Sequence, residues 1–132
     1  FEEKGFQIIG LKMIHISETL ARKHYAEHEG RDFFESLVKY TTSAPVLVIV
    51  LKGKNVVEIA RKMMGATFGF RAEPGTIRGD YAVSNRFNLI HGSDSLASAE
   101  REIGIFFHKG ELFEYDPADL TWVYDISTGD IV

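Results

Sequence analysis

Apolar and polar positions change period several times along the chain, and each change marks an expected element. From Phe6 to Ile16 the apolar residues Phe6, Ile8, Ile9, Leu11, Met13, Ile14 and Ile16 dominate one run, which predicts a strand. Ser17 follows as a helix N-cap, because its hydroxyl can accept from the free N–H groups of a first turn; that helix is expected to reach about His28. Asp32 with Glu35 three residues on is a capping-box-like start for a helix through Tyr40. After Pro45 the branched run from Val46 to Leu51 predicts a buried strand. Asn55 with Glu58 predicts the start of a helix with apolar positions Val57, Ile59, Ala60, Met63 and Met64, and Gly65 stops it. Residues 67–88 are rich in Gly, Arg and Asp and read as one long loop, the kind that in a compact domain usually has a function. Leu89-Ile90-His91 predicts a short strand, and Ser95 opens a helix with Leu96, Ala99, Ile103, Phe106 and Phe107 on one face. Phe1-Glu2-Glu3-Lys4-Gly5 reads as the last turn of a helix closed by glycine. The order of strand, helices, strand, helix, loop, strand and helix predicts an α+β fold with an antiparallel or mixed sheet.

The 132 residues suit one domain, and 45% hydrophobic with 26% charged residues is the balance of a globular protein. A net charge of -4 argues against reliance on a basic surface for nucleic acid, though it leaves room for a small basic pocket. With no cysteine, disulfides and thiolate metal sites are out. No apolar run reaches the roughly 18 residues of a membrane span, and no signal-peptide pattern opens the chain, so a cytoplasmic enzyme is the expectation.

The run Asn88-Leu89-Ile90-His91-Gly92-Ser93-Asp94-Ser95 is the densest in chemistry. It sets His91 at the end of an apolar segment, just before helix starters. Glu102 falls at the shoulder of the following helix's apolar face, where a carboxylate would be partly buried. A carboxylate accepting from one ring nitrogen fixes the tautomer and frees the other nitrogen to attack. Arg78 stands in Pro74-Gly75-Thr76-Ile77-Arg78-Gly79-Asp80, and Arg61 on the preceding helix; two guanidinium forks on one pocket would suit a polyphosphate. Taken singly, each is equally readable as a surface arginine. Lys52-Gly53-Lys54 lacks P-loop spacing, so side chains must do the phosphate binding. His24 and His28 have the i, i+4 spacing of metal ligands but no partner glutamate, and read as two unrelated histidines on one face.

Together these residues resemble the nucleoside diphosphate kinase family. The run at 88–95, continued by Ser98-Ala99-Glu100-Arg101-Glu102-Ile103, is similar to its active-site signature, and 74–80 to its second signature. His24-Tyr25, Phe33-Phe34, Leu37-Val38-Lys39-Tyr40 and Asn55-Val56-Val57 fall in the expected order, so the resemblance runs to about Trp122. It implies an α+β ferredoxin-like βαββαβ sandwich, an antiparallel sheet with helices on one face. It implies transfer of a γ-phosphate from nucleoside triphosphate to nucleoside diphosphate, ping-pong, through a phosphohistidine on His91. By the same resemblance Glu102 holds the ring, Ser93 bonds near the transferred phosphate and Tyr25 lines the pocket. Arg61, Thr67 and Arg78 grip phosphates, Asn88 meets the ribose, and Phe33 stacks on the base with Leu37 nearby. Asp94 lies near magnesium-bound phosphates, Mg2+ being the cofactor. Nucleoside di- and triphosphates are the implied partners, with assembly as a homo-hexamer or tetramer.

The sequence departs from the pattern in three places. The family's opening Ile-Lys-Pro-Asp strand is not in it, so the expectation is one domain over 1–132, N-terminally truncated relative to the family. Phe68-Gly69-Phe70-Arg71 stands in place of an Asn-Pro turn, and Asn85-Arg86-Phe87-Asn88 in place of Gly-Arg-Asn. A catalytically impaired nucleotide-binding scaffold is the alternative that the absent strand motivates. The tail from Asp116, with Trp122 and Tyr124, is expected to anchor either on its own domain or on a neighbouring subunit.

Overall fold

The structure, a computed structural model, describes residues 1–118, 120–125 and 127. Strands β1 (Gln7–Ile14) and β2 (Val46–Lys52) pair antiparallel, with Leu11 opposite Ile49 and Met13 opposite Leu47. The helices are α1 (Glu18–His24), α2 (Phe34–Thr41), α3 (Val56–Met64), α4 (Ile77–Tyr81), α5 (Leu96–Phe106) and α6 (Leu120–Val123). Single 3-10 turns occupy Ala26–His28, Gly69–Arg71 and Lys109–Glu111. The chain opens on a helical turn, as its pattern predicts: the Gly5 N–H donates to the Glu2 carbonyl at 2.8 Å, and Gly5 takes a φ of +94°.

Side-chain caps fix several ends. Ser17 accepts from the Leu20 N–H and Ser95 from the Ser98 N–H, each satisfying a donor that the helix leaves free. Gly65, at φ +86°, ends α3. Two expected caps do not form. Phe33, not Asp32, precedes α2 and has no side-chain acceptor with which to cap it, and Glu35 accepts from Arg22 at 2.8 Å instead. Asn55 is left-handed and uncapped, and Glu58 pairs with Lys62 instead.

The central apolar cluster is Ile16, Ala21, Phe34 and Val38, with Ile14, Leu20, Tyr25, Val46 and Phe106 packed against it. It locks α1, α2 and α5 to the end of the sheet, so side chains on α1 and α5 are held rigidly face to face. Truncating Phe34 there would cost about 3–5 kcal/mol. The reading of β2 as a buried strand is corrected: Val50 is buried, but Leu47 and Ile49 are exposed beside Leu11 and Met13. Strand side chains alternate between faces, and among the described residues only one face of this ribbon is well packed. Leu89-Ile90-His91 forms no strand, and the expected 67–88 loop contains α4.

Between Phe113 and Tyr124 the chain bonds back onto the Gly5–Ile9 segment, and of the expected tail Tyr124 takes part. The Phe113 N–H donates to the Ile9 carbonyl at 2.8 Å, and the Tyr115 and Tyr124 hydroxyls donate to the Ile8 and Gly5 carbonyls at 2.9 Å. Among the described residues Trp122 is 89% exposed. The rest of the tail expectation lies outside the described residues. Among the described residues no helix is long and apolar enough to cross a membrane.

Candidate active site

His91 sits on an irregular turn that is nevertheless tightly held. Leu89 has a φ of +69°, a left-handed conformation that side chains disfavour. Arg78 pins the turn from below: its guanidinium donates to the carbonyls of Asn88 at 3.3 Å, Gly65 at 3.0 Å and Ile90 at 2.5 Å. Arg61 donates to the Gly92 carbonyl at 2.9 Å. These bonds replace the ladder that a strand would have supplied, so the carbonyls are satisfied and the bend persists.

Arg78 owes its position to α4. Thr76 caps that helix by accepting from the Gly79 N–H at 3.0 Å, and Asp80 accepts from the Gly75 N–H at 2.8 Å. A Cβ at Gly79 would lie 1.9 Å from the Glu73 carbonyl oxygen, so only glycine fits this turn.

On the other side, α5 presents Glu102 to His91. The His91 Nε2 lies 2.9 Å from Glu102 Oε2, and the Ser93 hydroxyl donates to the same oxygen at 2.6 Å. An ionised carboxylate only accepts, so Nε2 carries the hydrogen and Nδ1 keeps a lone pair. Burial works to raise the Glu102 carboxyl, but the bonds from His91 and Ser93 outweigh it and hold it below the usual range. The side chain of Glu102 is 13% exposed and that of His91 is 45% exposed, so the orienting group is sheltered and the oriented ring is open.

The electrostatics favour an anion. Burial, and then repulsion from nearby Arg61, lowers the Arg78 guanidinium below its ordinary value. Among the described residues neither arginine has an ion pair with a carboxylate, and Arg78 is 5% exposed. Asp94 is exposed, accepts from the Ser98 hydroxyl at 2.6 Å, and is held well ionised by that bond. An open cleft of about 1020 Å³ brings Arg61, Thr76 and Asp94 to one wall, with Arg71 and Lys62 beside them.

The remaining expected residues divide. Tyr25 joins the site: its ring centre is 5.8 Å from that of His91, and burial raises its hydroxyl against a bond with Thr41. Phe33 is at the far end of an aromatic row, Phe33 to His28 at 5.4 Å and His28 to Tyr25 at 6.2 Å. It is exposed, as a stacking platform must be, and Leu37 is half-buried on the same helix. Asn88 donates to the Thr67 carbonyl at 3.2 Å, which ties those two together but outside the cleft wall.

Two residues belong here that the sequence reading gave no role. Arg101 reaches Glu102 Oε1 at 3.6 Å and donates to the His24 carbonyl at 3.4 Å. His24 is buried, 4.6 Å from the His91 ring centre and nearly perpendicular to it, with no partner for its Nδ1. Burial, and then the proximity of His91, pushes it down to about 4. His24 and His28 form no ligand pair, as expected, and His24 lies instead against His91 and Glu102. Its one sequence signal was a titratable residue on the apolar face of a short helix, on the same side as Ala21.

Residues 1–112 match the family model described as nucleoside diphosphate kinase. A nucleoside diphosphate kinase of Pelotomaculum thermopropionicum is 57% identical over 125 residues, 95% of this chain and 84% of that protein. One from Desulforamulus reducens is 55% identical over the same shares. Among solved structures, a halophilic nucleoside diphosphate kinase from Halobacterium salinarum in complex with CDP superposes with a TM-score of 0.92. It is 46% identical and covers 94% of this chain and 83% of its own. The ferredoxin-like α+β fold that the resemblance implied is thereby established.

Proposed function

Because the chain belongs to the nucleoside diphosphate kinase family and is an enzyme of that class, we propose that His91 carries the phosphoryl group between nucleotides. The observation that supports this reading is the Nε2 bond to Glu102, which leaves Nδ1 with its lone pair on an exposed ring, on a turn whose carbonyls Arg61 and Arg78 bond. In the first half-reaction Nδ1 attacks the γ-phosphorus of a nucleoside triphosphate. The bond from that phosphorus to the bridging oxygen breaks, and the nucleoside diphosphate leaves. In the second, a terminal oxygen of another diphosphate attacks and the N–P bond breaks. Each step leaves positive charge on the imidazole or negative charge on the phosphate, and both are met by fixed groups.

Glu102 stabilises the imidazolium and Ser93 fixes the carboxylate that does so. Arg61, Thr67 and Arg78 hold the phosphates. Arg78 uses three of its five N–H groups on backbone carbonyls, so it acts mainly by its charge and by shaping the turn. Phe33 stacks on the base, Leu37 flanks it, Tyr25 walls the phosphate pocket and Asn88 bonds the ribose. Stacking is indifferent to base identity, so several nucleotides should be accepted.

Magnesium is the proposed cofactor. The exposed, ionised Asp94 beside Arg61 suits an ion held mainly by phosphates and water. When bound, the ion screens the phosphate oxygens. The substrates argue for work in the cytoplasm, as a single domain over 1–132 within a homo-hexamer or tetramer, for which exposed Trp122 is available. The test is phosphorylation by ATP and magnesium, read as an acid-labile adduct by intact mass. The adduct should vanish in His91→Ala, whose turnover should fall roughly 10⁴-fold or more, and should pass to added GDP. ATP binding with no adduct would instead favour the impaired scaffold.

A further inference from the structure

We propose that His24, His91 and Glu102 form a site for a borderline divalent cation such as zinc, separate from the phosphates, whose occupation shuts the nucleophile off. The three side chains each offer one ligand atom, and these atoms all lie within 4.8 Å of one another. Two imidazoles and one carboxylate are a zinc-type donor set; a magnesium ion prefers oxygen ligands and would not select it. Tetrahedral bonds of about 2.0–2.2 Å put ligand atoms roughly 3.3 Å apart. His91 Nε2 and Glu102 Oε2 are already 2.9 Å apart. The ring of His24 stands against that of His91, and among the described residues its buried Nδ1 has no hydrogen-bond partner. Ser93 donates to Glu102 Oε2 and Arg101 lies 3.6 Å from its Oε1, so the carboxylate is held as outer partners hold metal ligands.

The ion takes the Nε2 lone pair of the neutral ring, so the single ring proton passes through solvent from Nε2 to Nδ1, and Nδ1 no longer has a lone pair with which to attack. The imidazole then loses the Glu102 bond that made Nδ1 a good nucleophile, and the ion draws electron density from the ring. The inhibitory half of this proposal rests on the role assigned to His91 above; the metal site itself does not.

The test is calorimetric titration of the whole chain with zinc chloride alone, in the absence of nucleotide. One ion per chain is expected. His24→Asn and His91→Asn should each weaken it by at least about tenfold. His15→Asn, an exposed histidine outside the site, should not change it. Binding that is unchanged in both site variants, or absent in the parent, overturns the site. If His24→Asn does not fold, His91→Asn decides alone, since that side chain is largely solvent-facing. A second arm adds ATP and magnesium at rising zinc: the adduct should fall in step with zinc occupancy. A full adduct on zinc-loaded protein would overturn the inhibition. An adduct missing even without zinc would instead count against His91 as nucleophile.

Discussion

Arg22 and Arg78 show two opposite uses of one side chain. Arg22, on the outer face of α1, forks to Glu35 at 2.8 and 2.9 Å and also bonds Glu18 at 3.0 Å. Its charge is cancelled by two acids and faces water. Arg78 is buried, has no carboxylate partner among the described residues, and spends its donors on the carbonyls of Gly65, Asn88 and Ile90. The first arrangement is a local convenience, weakened by solvent and by the entropy of long side chains. The second holds a turn in place and leaves a positive potential under it. Position and uncancelled charge therefore come from the same residue, which is why the turn bearing His91 can be both irregular and firm.

The largest way to break this contrast is Arg78→Ala. It frees buried carbonyls and should cost at least about 3 kcal/mol, read as a lowered urea midpoint, with phosphoryl transfer lost as well. Glu102→Gln comes next. The amide can still accept from Nε2 but no longer neutralises an imidazolium, so adduct formation should slow about 10²-fold while the melting temperature stays close to the parent's.

Acid should have a smaller effect. In the fold His24 is pushed down to about 4 by burial and by His91, whereas in the unfolded chain it titrates near 6.5. The unfolded state thus takes up the proton first. Stability is fully present above about pH 6.5 and declines as pH falls toward about 4, by something on the order of 2 kcal/mol. Glu102, held below its usual range, adds to the loss at the acid end. His24→Phe should flatten the curve between pH 6.5 and 4 in a pH series of thermal melts. The smallest effect is expected at the outer arginine. Arg22→Ala should move the melting temperature only slightly and activity not at all, and 0.5 M salt should shrink even that difference.

Local chemistry was the part of this molecule legible in the sequence. Ser17, Ser95 and Gly65 end or start helices through bonds or dihedrals that involve a few neighbouring residues, and all three do so as read. Helix spacing put Glu102 at the shoulder of an apolar face, half-sheltered as it is found, and the family resemblance paired it with His91. The failures share a cause in distant contacts. Asp32 and Glu35 have the letters of a capping box, but Arg22 competes for the glutamate from another helix. Leu89-Ile90-His91 has the letters of a strand, yet the Asn88 and Ile90 carbonyls are bound by the side chain of Arg78 and the ladder never forms. The helix at 77–81 is five residues long, too short for any period to show. His24 was passed over because a histidine on an apolar helix face has no local mark of purpose; only its approach to His91 supplies one.

Leu89 holds a left-handed backbone without glycine's freedom, a cost of roughly 1–2 kcal/mol. For anyone adapting the molecule to heat, that makes it an unusual place to begin. Most substitutions close to a working histidine trade robustness away, but here a residue content with that dihedral, glycine or asparagine, would return some of it. The turn that delivers the imidazole thus carries its own margin for improvement, two residues away from the part that must not change.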